Sequence, residues 1–326
     1  MARRTDAAPH ERRPTRMARR TDSATGECRP TRMPLRAFSL KAPQARATNG
    51  TYSPKTCTVP AHKGHAVKLT LKHLAYAYPT SRAGKNVLQD VSFTYETPDI
   101  LSILGPNGTG KSTLLQCIMG FFKPHTGSIL LDDKPLHTYT QKEIARRIAY
   151  IPQDHTPAFS YSVEDVVSMG RTPYLKAWEM PEHTDKTIVH EALACLGIEH
   201  LSTQPYTAIS GGERRLVLIA AALAQQPQLI VFDEPCANLD FGNQYKFSQL
   251  VERLHSNGCG VIMTTHYPNQ VLDLGGLCAL LHGGVIQSFG QAHDVMTEQA
   301  LCNMYGIEIH LRRIDNRLVC IPGSLA

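Results

Sequence analysis

The sequence predicts an α/β fold around a mostly parallel core sheet, and three apolar runs predict it. Ile100-Leu101-Ser102-Ile103-Leu104 leads directly into GPNGTGKST at 105–113 and then into the helical pattern Leu114-Leu115-Gln116-Cys117-Ile118-Met119. Leu229-Ile230-Val231-Phe232 ends in Asp233-Glu234-Pro235, and Val261-Ile262-Met263 ends in Thr264-Thr265-His266. Short unbroken apolar runs fit strands buried on both faces, as in a parallel sheet covered by helices.

The first run, its glycine-rich loop and the helix after it match the phosphate-binding P-loop pattern G-x-x-x-x-G-K-[ST] in the context that pattern requires. Gly105, Gly108 and Gly110 open backbone conformations closed to residues with a Cβ, so that several N–H groups can turn around one phosphate. Pro106, Asn107 and Thr109 complete the loop. Those donors precede the first full turn of the helix, whose positive end also favours an anion. Lys111 supplies a cation for the β- and γ-phosphates, the Ser112 hydroxyl suits Mg²⁺, and Thr113 is a second phosphate contact. The chain is therefore expected to bind a nucleoside triphosphate with magnesium.

The second run places Asp233 at the carboxyl end of a strand, where open α/β sheets put their ligand chemistry and where a carboxylate suits a Mg²⁺ shell. Glu234, one residue on, points differently and is suited to polarise an attacking water as general base. Between the two motifs stands Ile209-Ser210-Gly211-Gly212-Glu213-Arg214, ahead of a helix expected from Leu216 to Ala224. A serine hydroxyl and N–H groups on small residues at a helix entrance form a second anion site, although an ordinary capped helix start reads the same way. One nucleotide cannot easily use two such loops of one subunit, so the second is expected to serve a nucleotide held by another copy.

On these motifs residues 66–326 resemble the ATP-binding subunits of ATP-binding-cassette (ABC) transporters, and the following expectations come from that resemblance. The fold is an ABC-type P-loop ATPase with an N-terminal antiparallel β subdomain and an inserted helical subdomain at about 154–208. ATP and Mg²⁺ are the cofactors. Ser210, Gly211 and Gly212 form the signature loop that caps the γ-phosphate across a head-to-tail dimer. Tyr78 matches the aromatic that stacks on adenine, with Tyr76 as its competitor. Gln153 matches the loop glutamine that approaches Mg²⁺ and the reactive water. Asp240, in Asn238-Leu239-Asp240, matches the loop that crosses the dimer interface. His266 matches the switch histidine that senses the γ-phosphate. The chain departs from the family at Ala221 and Leu216, where basic residues are common, and at Cys236, which replaces a threonine or serine.

The remaining chain fills in this outline. Lys68 to Tyr78 and Val87 to Tyr95 read as early antiparallel strands, and Thr184 to Leu196 reads as a helix of the insert. Residues 1–65 differ in kind: residues 1–16 and 17–32 form a tandem repeat identical at 12 of 16 positions, and the segment holds 14 Lys/Arg against 4 Asp/Glu, leaving a net −4 on the rest of a chain whose total is +6. Such a basic, proline-rich extension is expected to be disordered. It reads either as dispensable, with Met17 or Met33 as alternative starts, or as a contact for anionic lipid or nucleic acid.

Hydrophobic residues make up 42% of the chain, enough for a large core, yet no run reaches the ~18–20 apolar residues that cross a bilayer. Nine cysteines without a C-x-x-C pair suggest reduced thiols. The expected function is thus an ATP-hydrolysing subunit that works as a homodimer, peripheral at the cytoplasmic face of the membrane, with integral permease subunits and, indirectly, a substrate-binding protein. Met169-Gly170-Arg171-Thr172-Pro173-Tyr174-Leu175 and Met304-Tyr305-Gly306-Ile307-Glu308 are similar to segments of importers for iron chelates, haem and cobalamin. Alternatives are a zinc or manganese importer, a soluble ABC ATPase acting on nucleic acid or ribosomes, and a regulatory protein with little turnover. Nucleic acid is not an expected partner.

Overall fold

The computed structural model describes residues 66–79, 86–153, 160–176, 178–237 and 239–323, all within the compact unit Ser53–Ala326. The basic extension and its repeat, at 1–65, lie outside the described residues. The elements run β1 (Lys68–Tyr76), β2 (Leu88–Glu96), β3 (Ile100–Leu104), α1 (Lys111–Ile118), β4 (Thr126–Leu131), β5 (Lys134–Pro135), α2 (Gln141–Ala145), β6 (Ile148–Ile151), α3 (Val163–Ser168) and α4 (His183–Cys195). They continue α5 (Gly211–Ala224), β7 (Leu229–Phe232), α6 (Phe241–Ser256), β8 (Gly260–Thr265), α7 (Pro268–Leu274), β9 (Leu277–His282), β10 (Val285–Gln291), α8 (Ala292–Val295), α9 (Glu298–Tyr305), β11 (Ile309–Ile314) and β12 (Arg317–Pro322).

Ten strands form one sheet in the order β5-β4-β1-β2-β10-β9-β3-β8-β7-β6, and β11 pairs with β12 in a separate hairpin. From β9 to β6 every neighbour is parallel. The β1–β2, β1–β4 and β4–β5 pairs are antiparallel, giving the expected antiparallel arm. Parallel pairing explains the unbroken apolar runs, because side chains alternate between two covered faces. Ile230 and Phe232 pack with Val217 and Ala220 of α5 and Leu250 and Leu254 of α6. Leu229 and Val231 face the other way, onto Leu115 and Ile118 of α1. Phe232 is fully buried, edge-on to Phe247 at 5.1 Å, and its burial contributes about 1.5–3 kcal/mol.

Several boundaries move from their sequence positions. The strand expected through Tyr78 stops at Tyr76, and the next begins at Leu88 rather than Val87. The α4 helix spans His183–Cys195. The helix expected from Leu216 begins at Gly211, because Ser210 caps it: the Ser210 hydroxyl accepts from the Glu213 amide while the Glu213 carboxylate accepts from the Ser210 amide. Cys117, Cys236, Cys259, Cys278, Cys302 and Cys320 are free thiols, as expected, whereas Cys195 carries a disulfide.

The helical insert expected at about 154–208 is described from residue 160 and carries α3 and α4, and its packing on α5 explains the Gly170-Arg171-Thr172-Pro173 segment. A Cβ on Gly170 would lie 2.1 Å from the Ala221 carbonyl oxygen, so only glycine lets this turn sit on α5. Arg171 is buried; it donates to Asp185 of α4 at 2.8 Å and to the Ala224 carbonyl at 2.9 Å, with its guanidinium 4.1 Å over the Tyr174 ring. One side chain thus joins the start of α4 to the last carbonyls of α5. Arg171→Met is expected to cost about 3–5 kcal/mol in urea denaturation, because it leaves the buried Asp185 carboxylate without its cation.

Candidate active site

Three adjacent parallel strands deliver the site. Because β8 lies between β3 and β7, their carboxyl ends carry Gly105, Asp233 and His266 to one edge of the sheet. The loop from β3 to α1 turns through Gly108 at φ 79° and Gly110 at φ 98°. The α1 helix has no capping side chain and no acid in its first turn, whereas α2, α3, α5, α6 and α9 each carry a capping side chain. Its first N–H groups are thus presented to an anion rather than satisfied locally.

Lys111 is 4% exposed, and its ammonium donates to the Gly105 and Pro106 carbonyls at 2.9 and 3.0 Å and pairs with Glu234 Oε1 at 3.0 Å. Three donors meet three acceptors. Glu234 has φ 42°, a left-handed conformation unusual for a residue with a Cβ, and its carboxylate meets Lys111. His266 Nδ1 stands 3.3 Å from Glu234 Oε2, close enough for an ion pair when the ring is protonated but without hydrogen-bond alignment.

Asp233 is 3% exposed and accepts three side-chain hydrogen bonds. Its Oδ1 accepts from Ser112 at 3.1 Å and Thr264 at 2.8 Å, and its Oδ2 accepts from Tyr150 at 3.3 Å. Burial, reinforced by the Asp233 charge, pushes the Tyr150 phenol well up, so it remains a donor. The Thr264 hydroxyl also accepts from the Glu234 amide at 2.8 Å. The Ser112 hydroxyl and the Asp233 carboxylate are adjacent hard oxygens, a donor set that fits Mg²⁺.

The structure divides the other expected residues between neighbouring places. Tyr78 lies just past β1, 41% exposed, with its hydroxyl 2.9 Å from that of Thr113. Tyr76 is buried and stacked on Phe122 at 5.1 Å, whereas Tyr78 stands edge-to-face with both, at 5.3 and 5.8 Å, and is the more exposed of the two tyrosines. Gln153 is exposed at the end of β6; Arg215 of α5 donates to its carbonyl at 3.2 Å, to Pro152 O at 2.6 Å and to Asp233 O at 3.4 Å. Among the described residues no hydrogen bond joins the Gln153 side chain to Ser112 or Asp233. Gly211, Gly212, Gln153 and Asp240 line a separate cleft of about 460 Å³ that no P-loop residue lines. Asp240 caps α6 through the Asn243 amide.

Thr264, Tyr150 and Arg215 are partners that sequence reasoning missed. In the sequence Thr264 stands only as the residue before Thr265-His266. The one available signal for it was a polar residue inside an otherwise apolar strand run, which requires a buried hydrogen-bond partner.

Residues 88–237 match the family model for ABC transporters. An ABC transporter ATP-binding protein of Haemophilus influenzae is 38% identical over 237 residues, covering 73% of this chain and 89% of that protein. The chain belongs to the ABC transporter ATPases. The hemin import ATP-binding protein HmuV of Rhodococcus jostii is 35% identical, covering 74% of this chain and 83% of that one. The molybdate import ATP-binding protein MolC of Haemophilus influenzae is 34% identical, with 73% and 87% covered. A solved inward-facing ABC transporter of metal-chelate type superposes with a TM-score of 0.69 and 30% identity, covering 79% of this chain and 98% of that one. This chain is an ATP-binding, ATP-hydrolysing subunit of the importer kind; such subunits dimerise and act at a membrane with permease partners.

Thr264→Val preserves the shape but removes the hydroxyl shared by Asp233 and the Glu234 amide. It is expected to cost about 1–3 kcal/mol in denaturant unfolding and to slow ATP hydrolysis about tenfold or more in a phosphate-release assay, since two buried groups lose their partner.

Proposed function

We propose that two copies of this chain close head to tail around two Mg·ATP and drive import of a metal chelate such as haem, a ferric siderophore or cobalamin. The observation that carries the two-copy reading is the glycine pair of the signature loop. A Cβ on Gly211 or Gly212 would meet nothing within 4 Å, so the protomer's own packing does not require glycine there. Glycines that their own fold does not need fit close approach by something outside the protomer, here the γ-phosphate held by the partner's P-loop.

In this reading the residues divide the work. Gly105, Pro106, Asn107, Gly108, Thr109 and Gly110 wrap the phosphates, Lys111 and Thr113 bind them, and Tyr78 stacks on adenine. Ser112 and Asp233, which are adjacent, together with Gln153 from the neighbouring cleft, would hold Mg²⁺, and the ion would neutralise charge on the phosphate oxygens. Lys111 exchanges the Glu234 carboxylate for phosphate oxygens. Glu234, so released, takes a proton from water as the water oxygen bonds to the γ-phosphorus. The bond from that phosphorus to the bridging oxygen breaks, leaving ADP and phosphate. His266 holds the γ-phosphate, Ser210, Gly211 and Gly212 cap it from the other copy, and Asp240 lies at the interface.

Among the described residues no helix is long and apolar enough to cross a membrane. The pathway for substrate is therefore assigned to integral permease subunits, with this chain at their cytoplasmic face and a substrate-binding protein acting on the far side. The chelate assignment rests on the hemin relatives and the metal-chelate transporter structure. Oxyanion import is the second reading, favoured by the 34% identity to the molybdate protein.

Glu234→Gln is expected to slow hydrolysis by about a hundredfold or more and to leave an ATP-loaded dimer on gel filtration. Lys111→Ala is expected to weaken ATP binding about a hundredfold by equilibrium titration. Glu234→Gln turning over at the parent rate contradicts the general-base role. For the cargo, ATPase in proteoliposomes with the copurifying permease and binding protein is expected to rise with haem, ferric siderophore or cobalamin and not with molybdate; the reverse pattern selects the oxyanion reading.

A further inference from the structure

Among the described residues no hydrogen bond joins the segment Met304-Tyr305-Gly306 to the P-loop, yet the segment is tied to the loop that carries His266. The Tyr305 hydroxyl, at the end of α9, donates to the His266 carbonyl at 3.0 Å. Asn269, three residues past His266 in α7, holds β12 as a neighbouring strand would. The Cys320 amide donates to Asn269 Oδ1 at 2.7 Å, and Asn269 Nδ2 donates to the Cys320 carbonyl at 3.1 Å.

From the other side the same loop is fixed by a relay of side chains. The Tyr267 amide donates to Thr265 Oγ1 at 3.1 Å, that hydroxyl donates to Gln270 Oε1 at 2.7 Å, and Gln270 Nε2 donates to Cys236 Sγ at 2.9 Å. The α7 helix lacks a capping side chain of its own. Its entrance is therefore held from a distance, by the turn after Glu234 on one side and by the carboxy-terminal elements on the other. The Tyr305 ring packs against the cluster of Leu104, Val271, Leu280, Leu301 and Met304. Burial, with smaller contributions from Cys320 and Cys278, pushes its phenol well up, so the hydroxyl remains a donor at any physiological pH.

We propose that Tyr305 is a positioning residue for ATP hydrolysis: its hydrogen bond to the His266 carbonyl fixes the backbone from which the imidazole faces Glu234 and the γ-phosphate. The proposal rests on the reading of His266 as the γ-phosphate contact. It gives the carboxy-terminal segment 298–322 control over the rate of the chemical step without any contact to nucleotide.

The test measures single-turnover ATP hydrolysis by the full chain, with enzyme in excess so that slow variants stay measurable, in the parent, Tyr305→Phe, His266→Ala and the double variant. Tyr305→Phe keeps the ring and is expected to lower the rate about three- to tenfold, as loss of one neutral hydrogen bond does, with ATP affinity and the thermal midpoint near the parent's. In the His266→Ala background Tyr305→Phe is expected to have no further effect, because residues that act as a unit are not additive. A parent-like rate for Tyr305→Phe, or the same fold-loss in both backgrounds, overturns the proposal, as does a lowered midpoint with an unchanged rate. A parent-like rate for His266→Ala overturns the underlying reading instead, and that single variant reveals it. Should Tyr305→Phe not fold, Tyr305→Leu, which also removes the hydroxyl from the His266 carbonyl, takes its place in the cycle with the same outcomes.

Discussion

The site depends on the Thr264 hydroxyl, buried between β3 and β7. It donates to Asp233 and accepts from the Glu234 amide, so one atom fixes where both acidic residues stand. A hydroxyl can do this because it is donor and acceptor at once. The strand order β3-β8-β7 puts it between the P-loop and the acidic pair. Ser112 and Tyr150 also donate to Asp233, so the side-chain partners of this buried carboxylate are all hydroxyls, and among the described residues no cation is ion-paired with it. That arrangement suits a divalent cation, whereas Glu234 next to it is already matched to Lys111.

The helical insert is joined to this site through two arginines. Arg171 clamps α4 to the end of α5, and Arg215, near the start of α5, grips the Pro152 and Gln153 carbonyls together with that of Asp233. The signature helix therefore cannot shift without pulling on the loop that carries Gln153 and on the strand end that carries Asp233. Attachment at both ends of one helix is one physical route by which motion passes between a nucleotide and a distant surface.

The nucleotide half of the site was legible in the sequence because its chemistry is local: a nine-residue loop, a strand ending in Asp233-Glu234, and a capped helix start each carry their own spacing. Strand ends were less legible. The β1 strand stops two residues early, which takes Tyr78 out of the sheet and leaves it exposed while Tyr76 is stacked and buried. Contacts between distant segments were not legible at all: Thr264 and Asp233 are 31 residues apart, Arg215 and Gln153 are 62 apart, and Tyr150 and Asp233 are 83 apart. Leu216 read as a missing basic residue. A guanidinium one position earlier, on Arg215, reaches the loop instead, and only the helix phase decides which of the two positions faces it.

In the proposed two-copy site one polyphosphate is gripped by two loops from different protomers, and within one protomer Gly211 and Gly212 line a cleft that no P-loop residue lines. Vanadate trapped with Mg·ADP occupies the γ-phosphate position and cuts the backbone that touches it on ultraviolet irradiation. Mapping the fragments by mass spectrometry tests this directly. Two cuts are expected, one within residues 105–113 and one at Ser210; cleavage in the P-loop alone, with the chain intact at 210, contradicts the two-copy site.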